Sequence, residues 1–356
     1  MRSSPATGGV LFFCRGRGRG HAVPDLEIAA ALRAEAGDAL NVQFVSYSTG
    51  ASVLMEAGET VIRLDLPDQN PYLETLVPCA QIVGSLAPDL VVSHEEFVSL
   101  PAAKIFGVPT LFLTDWFADD PDLLIMRALK FADEIVFLER EGLFEPPPYA
   151  RAKVHYVGPI VRPMAYARGD RERARQELGL PADARLISVI PGAWATEERT
   201  PLWDLMLAAF DALETPANHL VWIAGQDAEE LSGRAAGRDD VTILASCDPI
   251  ERLMAASDLG ITKGNRGTTL DLQAMGVRSV SISFRTNPVD DHMVPQIPTN
   301  KALCADETDP AALASELTHA LRSDRPMPDP LPPTDAAKQA ALRILHRIEA
   351  ARVASA

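Results

Sequence analysis

The sequence predicts an α/β protein built from two doubly wound parallel-sheet domains, and three observations carry that prediction. Short apolar runs rich in β-branched residues alternate with longer helical stretches along almost the whole chain. At 356 residues the chain is long enough for two domains of ordinary size. A Gly-Pro and Arg-Pro break divides the runs into two series. The first series is GGVLFF, VQFVSY, ETVIRLDL, DLVVSH, PTLFLTD, DEIVFLE and KVHYVG. The second is RLISVIPG, HLVWIAG, DVTILAS, SDLGITK and RSVSISF. Between them KVHYVGPIVRPMAYARGD ends a strand at Gly158-Pro159, passes Arg162-Pro163 and leads into the charged helix RERARQELGL. The expected domains are therefore residues 1–160 and 161–333. RPMPDPLPPTD reads as a proline-rich linker, and Thr334 or Asp335 is expected to cap a last amphipathic helix, 334–356, that packs back across the first domain.

The first strand is followed by GRGRGHAVPDLEIAAALRAE, Gly16 to Glu35, a glycine loop running into a helix whose Ile28 and Leu32 lie one turn apart. The loop lacks the third glycine of GxGxxG and the Gly-Lys-Ser/Thr of a P-loop. Asp25 and Glu27 already occupy the positive end of the helix dipole, where a diphosphate would meet two carboxylates. The loop is therefore expected to present His21 to a substrate while phosphate is held elsewhere.

A better phosphate site lies in SDLGITKGNRGTTLDLQAMGVRSVSISF, Ser257 to Phe284. It reads as a strand, a loop with Gly264 and Gly267, a helix from about Thr268, and Gly276 ending that helix. This helix has no acid in its first turn, so its free backbone amides are available to an anion. Asp271, one turn further in, can accept both hydrogens of a ribose diol. A blander role for each is also open, with Thr268 as a helix cap and Asp271 as a surface acid.

Composition narrows the partners. A formal net charge of −16 argues against nucleic acid and against an anionic membrane as general partners. Cys14, Cys79, Cys247 and Cys304 are far apart and form no CxxC pair, which fits a reducing cytoplasm and indicates neither a zinc site nor a disulfide framework. No window reaches the length of a membrane span and the first apolar run is too short for a signal peptide, so membrane contact is expected to be peripheral at most.

The segment Ser257 to Gly276 resembles, without gaps, the donor-binding motif of the MurG-type peptidoglycan N-acetylglucosaminyltransferases and related GT-B glycosyltransferases. Asp258, Thr268 and Gly276 match, and Asp271 stands where that family has glutamate. GHAVPDLEIAAALR is similar to the family's GH-x-x-P-x-L-x-x-A-x-x-L, and VVSHEEFVSLPAAKIFGVPTLFLTD to its acceptor-side strand, loop and strand. VGPIVRP resembles its Gly-Asn-Pro-Val-Arg, which puts Arg162 at the domain junction. The resemblance implies a GT-B fold and an inverting, metal-independent transfer from a UDP-sugar or another nucleoside diphosphate sugar, with no cofactor besides that co-substrate. His21 would act as the base that takes the acceptor proton, with Asp115 orienting it. Arg162, Gly192, Lys263, Gly264, Asn265, Arg266, Gly267, Thr268 and Asp271 would hold the donor. Gln296 and Asn300, or Asp291 and His292 of the DDH run, would lie near its sugar. Arg19, His94, Glu95 and Glu96 would line the acceptor side, for a small-molecule or lipid-linked acceptor. DDPD at 119–122 is read as a loop, because this fold stabilises the leaving group with helix amides and basic side chains. Two departures stand out: PGAWATEE replaces the family's Gly-Gly-Ser-Gln-Gly, and Asn265 replaces a loop glycine. A nucleotide-sugar hydrolase or 2-epimerase, and a binding relative without turnover, are the alternatives on the same fold.

Overall fold

The computed structural model describes residues 9–16, 18–37, 40–64, 72–118, 120, 123–191, 196–213, 217–264, 266–283, 297, 299–322 and 326–355. The chain divides into two units, one of residues 1–160 with 334–356 and the other of residues 161–333.

In the first unit strands and helices alternate: β1 (Gly9–Cys14), α1 (Ala22–Ala36), β2 (Asn41–Ser46), α2 (Ser48–Glu56), β3 (Val61–Arg63), α3 (Tyr72–Leu86) and β4 (Leu90–His94). There follow α4 (Ser99–Ile105), β5 (Thr110–Thr114), α5 (Leu124–Ala128), β6 (Glu134–Phe137) and β7 (Val154–Tyr156). The sheet is parallel throughout, in the order β3-β2-β1-β4-β5-β6-β7. Both faces of β1 are buried because its side chains alternate between two cores. Phe12 joins Phe44, Ile28 and Leu32 on one face, while Leu11 and Phe13 join Val45, Val83 and Ala103 on the other.

The last helix of the chain, α12 (Ala336–Ser355), packs on this unit, with Ile344 and Ile348 in the same core as Ile28. Charges fix its register. Arg343 donates to Glu134 and, at 2.7 Å, to Nε2 of His155, and Arg352 pairs with Asp89 at 2.6 Å. Burial, reinforced by the Arg343 charge, pushes the His155 pKa down, as expected of a ring that accepts from a guanidinium.

The second unit runs α6 (Arg171–Glu177), β8 (Arg185–Ile190), α7 (Thr196–Asp211), β9 (Asn218–Ile223), α8 (Ala228–Arg234), β10 (Val241–Leu244) and α9 (Ile250–Ala256). It continues with β11 (Leu259–Thr262), α10 (Arg266–Ala274), β12 (Arg278–Ser283), β13 (Asn300–Cys304) and α11 (Pro310–Leu321). Its parallel sheet has the order β10-β9-β8-β11-β12-β13. Trp203 packs edge-on to Trp222, ring centroids 4.9 Å apart, in one core, and Leu253, Met254 and Leu272 fill the other.

Both sheets reverse their strand order at one place, between β1 and β4 in the first and between β8 and β11 in the second. In open parallel sheets ligands bind outside the carboxyl ends of the strands at such a reversal. The loop after β1 carries His21, the loop after β4 begins with Glu95, and the loop after β11 carries Gly264. The fold rule therefore points to these same segments without reference to any motif. Among the described residues no helix is long and apolar enough to cross a membrane.

Candidate functional site

In the first unit the glycine loop is shaped by packing. A Cβ on Gly16 would lie 2.0 Å from the Tyr47 carbonyl oxygen, and the Gly50 amide donates to the Gly16 carbonyl at 2.9 Å. Gly16 is thus required by the close approach of β2's exit, with no call on phosphate. The loop leads into α1 with His21 at its N-terminus, its side chain one-fifth exposed.

Strand β4 lies beside β1, and its exit supplies the histidine's partner. Glu95 takes a left-handed backbone, φ 54°, and bridges Cys14. That conformation is costly for a residue with a side chain and persists where the surroundings over-determine it. The Glu95 carboxylate, 3 % exposed, accepts from Nε2 of His21 at 2.9 Å and from Arg15 at 3.2 Å. Its other oxygen lies 3.0 Å from the Thr114 hydroxyl, which is equally close to the Trp116 carbonyl. Burial alone would raise the Glu95 pKa, but His21, Arg15 and His94 outweigh it and hold the carboxyl well below its ordinary range. An ionised carboxylate can only accept, so His21 donates from Nε2 and, when neutral, carries its lone pair on Nδ1. That nitrogen is buried and has no hydrogen-bond partner among the described residues.

Behind this pair lies a second one. Nδ1 of His94 is 2.7 Å from Asp25, both side chains essentially inaccessible, and the His94 and His21 rings meet edge to face with centroids 4.7 Å apart. Burial opposes a charge on His94, yet Asp25, Glu95 and Asp115 together raise its pKa above the ordinary value. Burial and then Asp25 push the Cys14 thiol well up, so Cys14 is an inert part of this wall.

These contacts correct one expectation. The carboxylate that orients His21 is Glu95 and not Asp115, which lies near enough to His94 to favour its charge. Asp25 lies in the first turn of α1, as expected, and its Oδ1 is paired with His94. His94, Glu95 and Glu96, expected on the acceptor side, are buried. Arg19 is exposed.

In the second unit β11 ends at Thr262 and the chain turns through Gly264, φ 92°, into α10. No acid lies in the first turn of α10, and Gly267 is exposed. A Cβ placed on Gly267 would meet no described atom within 4 Å, so a ligand has room to approach the backbone there. The Gly264 amide is already committed, donating to the Thr262 hydroxyl at 3.1 Å, so it is not offered to an anion. Lys263 is half-buried, as are Arg266 and Thr268.

Arg162 and Asp271, predicted for diphosphate and ribose, are brought together. The guanidinium donates to Asp271 at 3.4 Å and, by a shorter contact, to the buried Glu251. Burial disfavours the Arg162 charge, but Asp271 and Glu251 raise its pKa. Facing two carboxylates, Arg162 has its charge satisfied inside the protein, which corrects its expected role as neutraliser of the diphosphate. Asp258 accepts from Arg175 at 2.8 Å, from Arg171 at 3.0 Å and from the Leu186 amide at 2.8 Å. It precedes β11 and so belongs to the opposite rim of the sheet from the Gly264 loop, where it locks β8 to β11. Asn300 accepts from Ser279 at 2.7 Å and Ser281 at 2.8 Å, which ties its Oδ1 to the sheet. Gly192, Asn265, Asp291, His292 and Gln296 lie outside the described residues. Sequence reasoning missed Arg15, Thr114, Glu251 and Thr262. Only Thr114 had a signal, its place at the end of a strand beside a named carboxylate.

No protein-family model and no curated protein matches the chain. Solved structures do match over nearly all of it. MurG of Acinetobacter baumannii is 16% identical over 97% of this chain and 99% of its own, with a TM-score of 0.59. A putative UDP-N-acetylglucosamine 2-epimerase from Listeria monocytogenes is 15% identical over 96% of each chain, with a TM-score of 0.66. Arabidopsis thaliana UGT89C1, complexed with UDP, is 15% identical over 96% of this chain and 94% of its own, with a TM-score of 0.64. With two parallel sheets in the strand orders described above, the chain has the fold of the GT-B glycosyltransferases.

Proposed function

We propose that this protein transfers a sugar from a nucleoside diphosphate donor, UDP-linked in the first instance, to a hydroxyl of a small-molecule or lipid-linked acceptor with inversion at the anomeric carbon. The observation that carries this reading is the commitment of His21 Nε2 to a buried, ionised Glu95, which leaves Nδ1 as a lone-pair nitrogen with no partner among the described residues. A ring so fixed is arranged as a general base. In the reaction the acceptor O–H gives its proton to Nδ1 as its oxygen forms a bond to the anomeric carbon. The bond from that carbon to the diphosphate oxygen breaks, and its electron pair leaves with the nucleoside diphosphate. The developing charge on the leaving group is met by the positive end of α10, where the backbone is open at Gly267, and by Lys263 and Arg266. Asp271, held by Arg162, takes the ribose diol.

A thermal-shift panel of nucleoside diphosphates and nucleotide sugars tests the donor half. UDP compounds are expected to raise the melting temperature of the wild type and to lose at least tenfold in affinity with Asp271→Ala, the cost of one charge-assisted hydrogen bond. Equal stabilisation of both proteins contradicts the ribose assignment. The 2-epimerase neighbour supports a second reading, in which the same donor site serves hydrolysis or epimerisation. Release of free sugar and nucleoside diphosphate with no acceptor present would favour it over transfer.

A further inference from the structure

Strands of a parallel sheet buried on both faces are ordinarily continuous apolar runs. Two strands of the second sheet depart from this beneath α10, where Thr262 of β11 and Ser279 and Ser281 of β12 are all at most 2 % exposed. Their hydroxyls form a connected chain, and counting protons fixes its direction. Oδ1 of Asn300 can only accept, so Ser279 and Ser281 donate to it, at 2.7 and 2.8 Å. The single proton of Ser281 is thereby spent, and its contact with Thr262 at 3.1 Å must be a donation by Thr262. The proton of Thr262 is spent in turn, so Thr269, 3.2 Å away, donates to Thr262, as does the Gly264 amide at 3.1 Å. Both acceptor positions and the one donor position of the Thr262 hydroxyl are filled.

Hydroxyls buried in a sheet gain the fold little over valine or alanine and are costly wherever one is left unpaired. This chain of them ends on the first turn of α10 and on the amide of Gly264, whose left-handed φ of 92° sets the entry into the helix. We propose that Thr262 is a positioning residue for the diphosphate site: anchored through Ser281 to Asn300, it holds the Gly264 turn so that the N-terminus of α10, at the exposed Gly267, faces the anion. The inference rests on the donor-binding reading above and adds to it the part of the sheet that aims the loop.

Isothermal titration with UDP and with uridine tests it, using wild type, Thr262→Val and Thr262→Ser. Valine has the shape of threonine without the hydroxyl; serine restores the hydroxyl without the methyl. Thr262→Val is expected to weaken UDP binding roughly tenfold, as one buried donor left unpaired implies, and to leave uridine, which has no diphosphate, within about twofold. Thr262→Ser is expected to return UDP affinity to near wild type. UDP binding unchanged in Thr262→Val, equal losses for UDP and uridine, or no rescue by serine overturns the inference while leaving the donor reading intact. A wild type that binds neither UDP nor uridine removes the donor reading itself, and the inference with it.

Discussion

Replacing His21 with alanine is expected to cut sugar transfer by about 100-fold or more while leaving nucleoside diphosphate affinity within about twofold of wild type. The separation follows from where the groups lie: His21, Glu95, Arg15 and Thr114 form one connected cluster of the first unit, and the Gly264 loop and Asp271 belong to the second. Glu95→Gln makes the companion test. Glutamine keeps the size of the side chain but offers an amide in place of an acceptor-only carboxylate, so the ring of His21 loses its fixed tautomer and transfer falls with it. Initial rates under saturating donor, paired with a thermal shift by UDP, measure both quantities. Turnover unchanged in His21→Ala removes the base assignment.

The buried Asp25–His94 pair predicts the largest effect on stability. Removing one partner of such a pair costs about 3–5 kcal/mol, because the other charge is left uncompensated in a site that water does not reach. The sign of the pH dependence follows from the direction of the His94 shift. Its folded-state pKa lies above the ordinary 6.5, so its stabilising contribution is fully present below 6.5 and is lost as pH rises through the folded-state value. Glu95 acts oppositely: held below its ordinary 4.5, it contributes fully above 4.5 and loses that contribution as pH falls. Urea unfolding of wild type and Asp25→Asn followed from pH 6 upward is expected to show the largest difference at pH 6, shrinking as pH rises through the folded-state pKa of His94. A difference independent of pH contradicts the charged pair.

Most strands were legible because both faces of a parallel sheet demand apolar, β-branched runs, and those runs are plain in the sequence. The exception was β13, NKALC, whose residues are partly or fully exposed and so carry no such pattern. The rim positions of the site were legible for the same reason, since a polar residue directly after an apolar run must lie at a strand end. Which rim residues meet was not legible, because that depends on strand order. With β1 beside β4 and β5 one place further out, Glu95 is one strand spacing of about 4.8 Å from the His21 loop, and Asp115 is two. Nothing local in the chain distinguishes a carboxylate at one spacing from a carboxylate at two. The union of Arg162 with Glu251 and Asp271 likewise joins segments about a hundred residues apart, and the hydroxyl chain under α10 is visible only once three strands lie side by side.

A crystal structure of the protein with UDP tests the central claim most directly. The account predicts diphosphate oxygens within hydrogen-bonding distance of the Gly267 and Thr268 amides, with the ribose diol on Asp271. Density placing the diphosphate away from those amides, or on the glycine loop after β1, would contradict it.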